Sequence, residues 1–109
     1  MAPKLKEIEK LNRGPKPRNV KERVEWLAAK ADHYHLAAAN ETGKYSDSDK
    51  HDFSNAEIRE RLAILKIVEE SPGAASDGFA WAQFRFIGEA YNKLGLANRA
   101  LEVSFANLN

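Results

Sequence analysis

The segment FAWAQFRFIGEAYNKLGLANRALEVSFANLN, residues 79–109, constrains the fold more than any other part of the chain. Phe84, Ile87, Gly88 and Tyr91 recur at helical spacings of three and four, Gly95 follows, and Ala100 lies beyond it. Two helices cross closely only where one side chain is missing and an aromatic ring fills the space beside it. The spacing therefore predicts two short helices joined by a tight turn at Gly95, an αα-hairpin.

Those positions resemble the tetratricopeptide pattern of aromatic, aliphatic-Gly, aromatic and Ala positions, which repeats over roughly 34 residues. The run Gly88-Glu-Ala-Tyr-Asn-Lys-Leu-Gly95 is the most repeat-like part. Ser104 stands where that family prefers an aromatic, Asn107 where it prefers Ala, and the usual terminal Pro is missing. The resemblance implies a helical scaffold whose third helix lines a concave peptide-binding groove. Arg85, Glu89 and Asn92 share a helix face at i, i+4 and i+7, with Lys93 at its margin. Glu89 replaces the Asn of carboxylate-binding members, which argues against capture of a peptide C-terminus. Read from the residues alone, the same face is a solvated strip with an Arg85–Glu89 pair.

A chain of 109 residues suits one domain with a single modest core. Its longest apolar runs are a few residues, too short to span a bilayer. Charges near the N-terminus occupy the place of a signal-peptide apolar region. With no cysteine, disulfides, thiolate metal sites and cysteine nucleophiles are excluded, which suits a reducing cytoplasm.

Upstream, Asn19 is a good N-cap for a helix running to about Ala39, with Val20, Val24, Leu27, Ala31, Tyr34 and Ala38 on one stripe. Trp26, Lys30, His33 and Ala37 lie roughly opposite. Trp26 is therefore either an interface anchor or a ring covered by the N-terminal segment or a neighbouring loop. Residues 40–54, NETGKYSDSDKHDFS, are polar apart from Tyr45 and Phe53 and read as a long loop, a second candidate contact surface through Tyr45. Ser54-Asn-Ala-Glu57 then has the form of a capping box that starts a helix ending near Glu70. Ile58, Leu62, Leu65 and Val68 on one side, with Ala63, Ile64 and Ile67 on the other, place that helix between neighbours. The stretch 71–78, SPGAASDG, breaks the chain, and Ser76 or Asp77 can cap the next helix. Leu101, Val103, Phe105 and Leu108 crowd the final helix. The expectation is an all-α domain over residues 19–109: a small bundle of four main helices stacked as two antiparallel hairpins, tetratricopeptide-like at its C-terminus.

Residues 1–23 hold eight Lys or Arg against Glu7, Glu9 and Glu22, a net +5, and the rest of the chain carries −4. A basic arm over residues 1–18 on an acidic body steers toward phosphate backbones or acidic protein surfaces, or is simply a solvated terminus. Within it Leu5, Ile8 and Leu11 suggest a short amphipathic helix ended by Pro15 and Pro17. Arg13-Gly-Pro-Lys-Pro-Arg18 faintly resembles the minor-groove AT-hook without its Arg-Gly-Arg-Pro core. Arg13, Lys16, Arg18, Lys21 and Arg23 are the candidate phosphate contacts.

Asp47, Asp49, His51 and Asp52 are oxygen and nitrogen donors, yet an EF-hand starting at Asp47 needs Gly at Asp52 and Glu at Ile58. Asp32, His33 and His35 lack the i, i+4 histidine pair of a helical zinc site, so no metal is expected. No cofactor is expected, and no nucleophile elbow or phosphate loop points to an enzyme. The sequence reads best as a non-enzymatic protein–protein interaction module binding a protein partner through Arg85, Glu89, Asn92 and Lys93, Trp26 or Tyr45. The alternatives are a nucleic-acid-binding regulator using the basic arm, and a self-associating structural subunit such as a homodimer.

Overall fold

The computed structural model describes residues 16–95. Three α-helices follow one another: α1 (Val20–Ala38), α2 (Asp47–Glu70) and α3 (Asp77–Lys93), with a short 3-10 turn at Pro72–Ala74. The fold class is all-α, with no strand among the described residues. None of the described helices is long and apolar enough to cross a membrane. The four-helix count is not shown. The expected last helix lies at 96–109, and the expected short helix around Leu5, Ile8 and Leu11 precedes residue 16; both fall outside the described residues.

Local chemistry accounts for most of the boundaries. Asn19 caps α1, its side-chain oxygen accepting from the Glu22 N–H at 3.1 Å. Ser76, rather than Asp77, caps α3 by accepting from the Phe79 N–H at 3.1 Å. At the far end of α3 the Leu94 N–H donates to the Ala90 carbonyl, and Gly95 follows with φ +76°, the left-handed conformation that glycine adopts at least cost.

The 40–54 loop is half the expected length. Asn40 closes a small turn, accepting from the Thr42 N–H and hydroxyl, and Gly43 takes φ +76°. The capping box then forms at Ser46 and Asp49: the Asp49 N–H donates to Ser46 Oγ at 3.1 Å, and the Ser46 N–H donates to Asp49 Oδ2 at 3.4 Å. Helix α2 consequently begins at Asp47, and the Ser54–Glu57 box is not a helix start. Ser54 and Glu57 are both buried, well inside α2. Burial of Phe53 favours the early start, because its ring packs with Tyr34, Ala37 and Ala56, and Tyr45 stands edge-on to it at 4.9 Å.

Helix α2 lies between α1 and α3 and runs antiparallel to each, so α1 and α2 form the first expected hairpin, while the expected partner of α3 in the second lies outside the described residues. Its N-terminal half meets the end of α1 through Tyr34, Ala37, Phe53 and Ala56. Its C-terminal half meets the start of α1 through Val24, Leu27 and Ile64, closed underneath by Ala74 of the 3-10 turn. On its other flank Ile58 packs with Ile87 and Ala90 of α3. The predicted α1 stripe thus faces the core, with Val24, Leu27, Ala31 and Tyr34 all buried.

Candidate functional site

The outward side of α3 gathers four of the expected contact residues. Arg85, Glu89, Asn92 and Lys93 are exposed on it. Trp81, one turn ahead of Arg85, is 53% exposed and extends the same face, a residue that sequence reasoning passed over. The Arg85 guanidinium lies 5.1 Å from the Phe86 ring centroid, and no Arg85–Glu89 ion pair is present among the described residues. This cation–π contact with a half-buried ring restrains the guanidinium, whose N–H groups have no hydrogen-bond partner among the described residues.

What fixes α3 in place is a buried polar cluster that the sequence did not reveal. Arg61 of α2 is 1% exposed and reaches both neighbouring helices. Its Nε donates to Glu57 Oε2 at 2.8 Å, its Nη1 to Gln83 Oε1 on α3 at 2.8 Å, and its Nη2 to Asp32 Oδ1 on α1 at 3.2 Å. Glu57, with no exposed surface, is also met by His35 Nδ1 of α1 at 3.1 Å. Gln83 Nε2 donates back to the Phe79 carbonyl at 3.2 Å. The Phe86 ring joins the two sides of this cluster, standing edge-on to His35 at 5.5 Å and 4.5 Å from the Arg61 guanidinium. A buried carboxylate beside a buried guanidinium satisfies the demand that buried charges be paired, and it ties three helices at one point. The available signal was Glu57 and Arg61 at i, i+4 on the same side of α2 as Ile58 and Ile64, together with Gln83 among the apolar residues of α3.

The remaining candidates are placed elsewhere. Trp26 is half-buried in the seam between α1 and α2, with the Lys30 ammonium 4.6 Å from its ring. Its Nε1 is buried without a hydrogen-bond partner among the described residues. Lys30 in turn pairs with the buried Glu60 at 3.6 Å. Trp26 thus contributes to the packing of that seam with part of its ring. Tyr45 is half-buried against Phe53, with Lys44 5.9 Å from its ring, and closes the end of the core.

Of the basic residues, Arg13 lies outside the described residues, while Lys16, Arg18 and Lys21 are exposed. Arg23 is spent on the arm's own backbone, its Nε donating to the Pro17 carbonyl at 3.1 Å and its Nη2 to the Arg18 carbonyl at 3.2 Å. Asp47, Asp49, His51 and Asp52 sit in the first turns of α2, and no three-ligand metal cluster occurs among the described residues. No family model, no curated protein and no solved structure matches this chain.

Proposed function

We propose that this chain is a small helical protein–protein interaction module whose partner docks on the outward face of α3, centred on Trp81 and Arg85. The observation that carries this reading is the 53% exposure of Trp81 on a helix whose other large apolar side chains are buried or half-buried. Trp and Arg are the residues most enriched among interface hot spots, and here they stand one helical turn apart. The buried Arg61 cluster keeps the face rigid, so little ordering entropy is lost on binding. Glu89 and Asn92 supply a polar continuation of the contact. The tetratricopeptide-like reading of residues 79–109 belongs to the same proposal. It is supported by Phe84, Ile87, Gly88 and Tyr91 lying on one helix that ends in the left-handed Gly95.

The test is affinity capture from native lysate with the parent chain and with Trp81→Ala/Arg85→Ala, each with and without nuclease. The expected result is a protein partner that survives nuclease and is lost from the variant, whose far-UV circular dichroism is unchanged. Identical protein partners on parent and variant would remove the α3 face. Company that disappears with nuclease and weakens steeply with salt would instead favour a nucleic-acid contact through Lys16, Arg18 and Lys21. A concentration-dependent native mass abolished by the variant would make the partner a second copy of this chain.

A further inference from the structure

The end of the bundle where α1 and α3 finish and α2 begins holds a cleft of about 340 Å³ that shares Lys93 with the margin of the α3 partner face. It is lined by Ala38, Asp47, Lys50, His51, Ser54 and Lys93. Asp47, Lys50, His51 and Ser54 stand at i, i+3, i+4 and i+7 on α2, so one helix face supplies four of its walls, and Lys93 reaches it from α3. Neither lysine nor His51 belongs to an ion pair among the described residues. Ser54 is only 3% exposed, yet it lines this cleft, and no hydrogen bond among the described residues uses its hydroxyl. A hydroxyl on a largely buried serine, open toward a cavity lined also by two ammonium groups without ion-pair partners among the described residues, is an arrangement that an oxyanion completes. The N-terminus of the 24-residue α2 adds its positive end to the same wall. Among the described residues that line it, Asp47 is the one carboxylate against Lys50 and Lys93, so the cationic groups prevail.

We propose that this cleft binds the phosphate group of a small phosphate monoester. Lys50 and Lys93 neutralise its charge, and Ser54 and His51 donate hydrogen bonds to its oxygens. A dianion matches two ammonium groups better than a monocarboxylate does. The volume falls within the range of roughly 300–1,000 Å³ of small-molecule sites, which leaves room for the esterified part beyond the phosphate itself.

The test is an amide NMR titration of the full chain with inorganic phosphate and, separately, with glycerol phosphate, at constant ionic strength set with chloride. Saturable shifts confined to residues 47–54 and the end of α3 are expected, with glycerol phosphate binding the tighter of the two. Lys50→Ala/Lys93→Ala should weaken binding at least about 10-fold with helicity retained, while Lys66→Ala, an exposed lysine elsewhere on α2, leaves it unchanged. Shifts scattered over the surface lysines, or a double variant that binds like the parent, would overturn the site. Equal affinity for the two probes would overturn its assignment to an ester.

Discussion

Replacing Arg61 by Met retains an unbranched apolar stem and removes the guanidinium, so the perturbation is confined to the buried cluster. Glu57 has no exposed surface and would be left as a buried carboxylate with His35 as its remaining partner among the described residues. Breaking a buried ion pair from one side costs about 3–5 kcal/mol. Gln83 Oε1 loses its 2.8 Å donor, and a buried acceptor without a partner costs about 1–3 kcal/mol. The Asp32 contact adds under about 1 kcal/mol, because that side chain is 67% exposed and screened by solvent. Since the three losses share one group they overlap, and about 4–6 kcal/mol is expected in total. A domain of this size has about 5–15 kcal/mol altogether, so the variant should lie near the edge of unfolding at room temperature. Urea unfolding followed by far-UV circular dichroism measures this directly. The companion variant Glu57→Met/Arg61→Met removes both charges and should recover at least about 2 kcal/mol relative to Arg61→Met, because no buried carboxylate is then left alone. An Arg61→Met cost below about 1 kcal/mol, or a double variant whose loss equals the sum of the two single losses, would refute the claim that the pair is buried and coupled.

Three further outcomes follow from the same geometry. Ser46→Ala should cost about 1 kcal/mol in thermal or urea unfolding by removing the α2 cap, and Ser54→Ala less, since Ser54 caps nothing; equal costs would return the helix start to Ser54. Gly95→Ala should destabilise by about 1–2 kcal/mol through its backbone, because φ is +76° there while a Cβ would meet nothing within 4 Å among the described residues. Calorimetry on that variant checks it, and an unchanged melting temperature would show that the turn relaxes freely. Ile64→Ala, at a fully buried position, should cost about 2–5 kcal/mol in chemical denaturation, whereas Leu36→Ala, at 69% exposure, should stay within about 0.5 kcal/mol.

By itself the sequence determined whatever depends on a few neighbouring residues. Asn19 and Ser76 mark helix starts because a side-chain oxygen three positions ahead of an orphan N–H satisfies it locally. The 71–78 break was legible for the same kind of reason, as was the inward stripe of Val24, Leu27, Ala31 and Tyr34, which follows from helical period alone. On the candidate site, the shared face of Arg85, Glu89 and Asn92 was readable from i, i+4, i+7 spacing. Only the tertiary structure decided the rest. The polar segment DSDKHD carries no apolar stripe, and although the Ser46/Asp49 box can start a helix locally, it is the seat of Phe53 against Tyr34 and Ala37 that selects this start over the one at Ser54. Of the two tryptophans, Trp26 faces a neighbouring helix and Trp81 faces water, a choice that periodicity within one helix cannot make. Arg61 and Glu57 look like surface charges until α1 and α3 close over α2. Burial is a property of what packs against a helix, and that information is distributed over residues as far apart as Asp32 and Gln83.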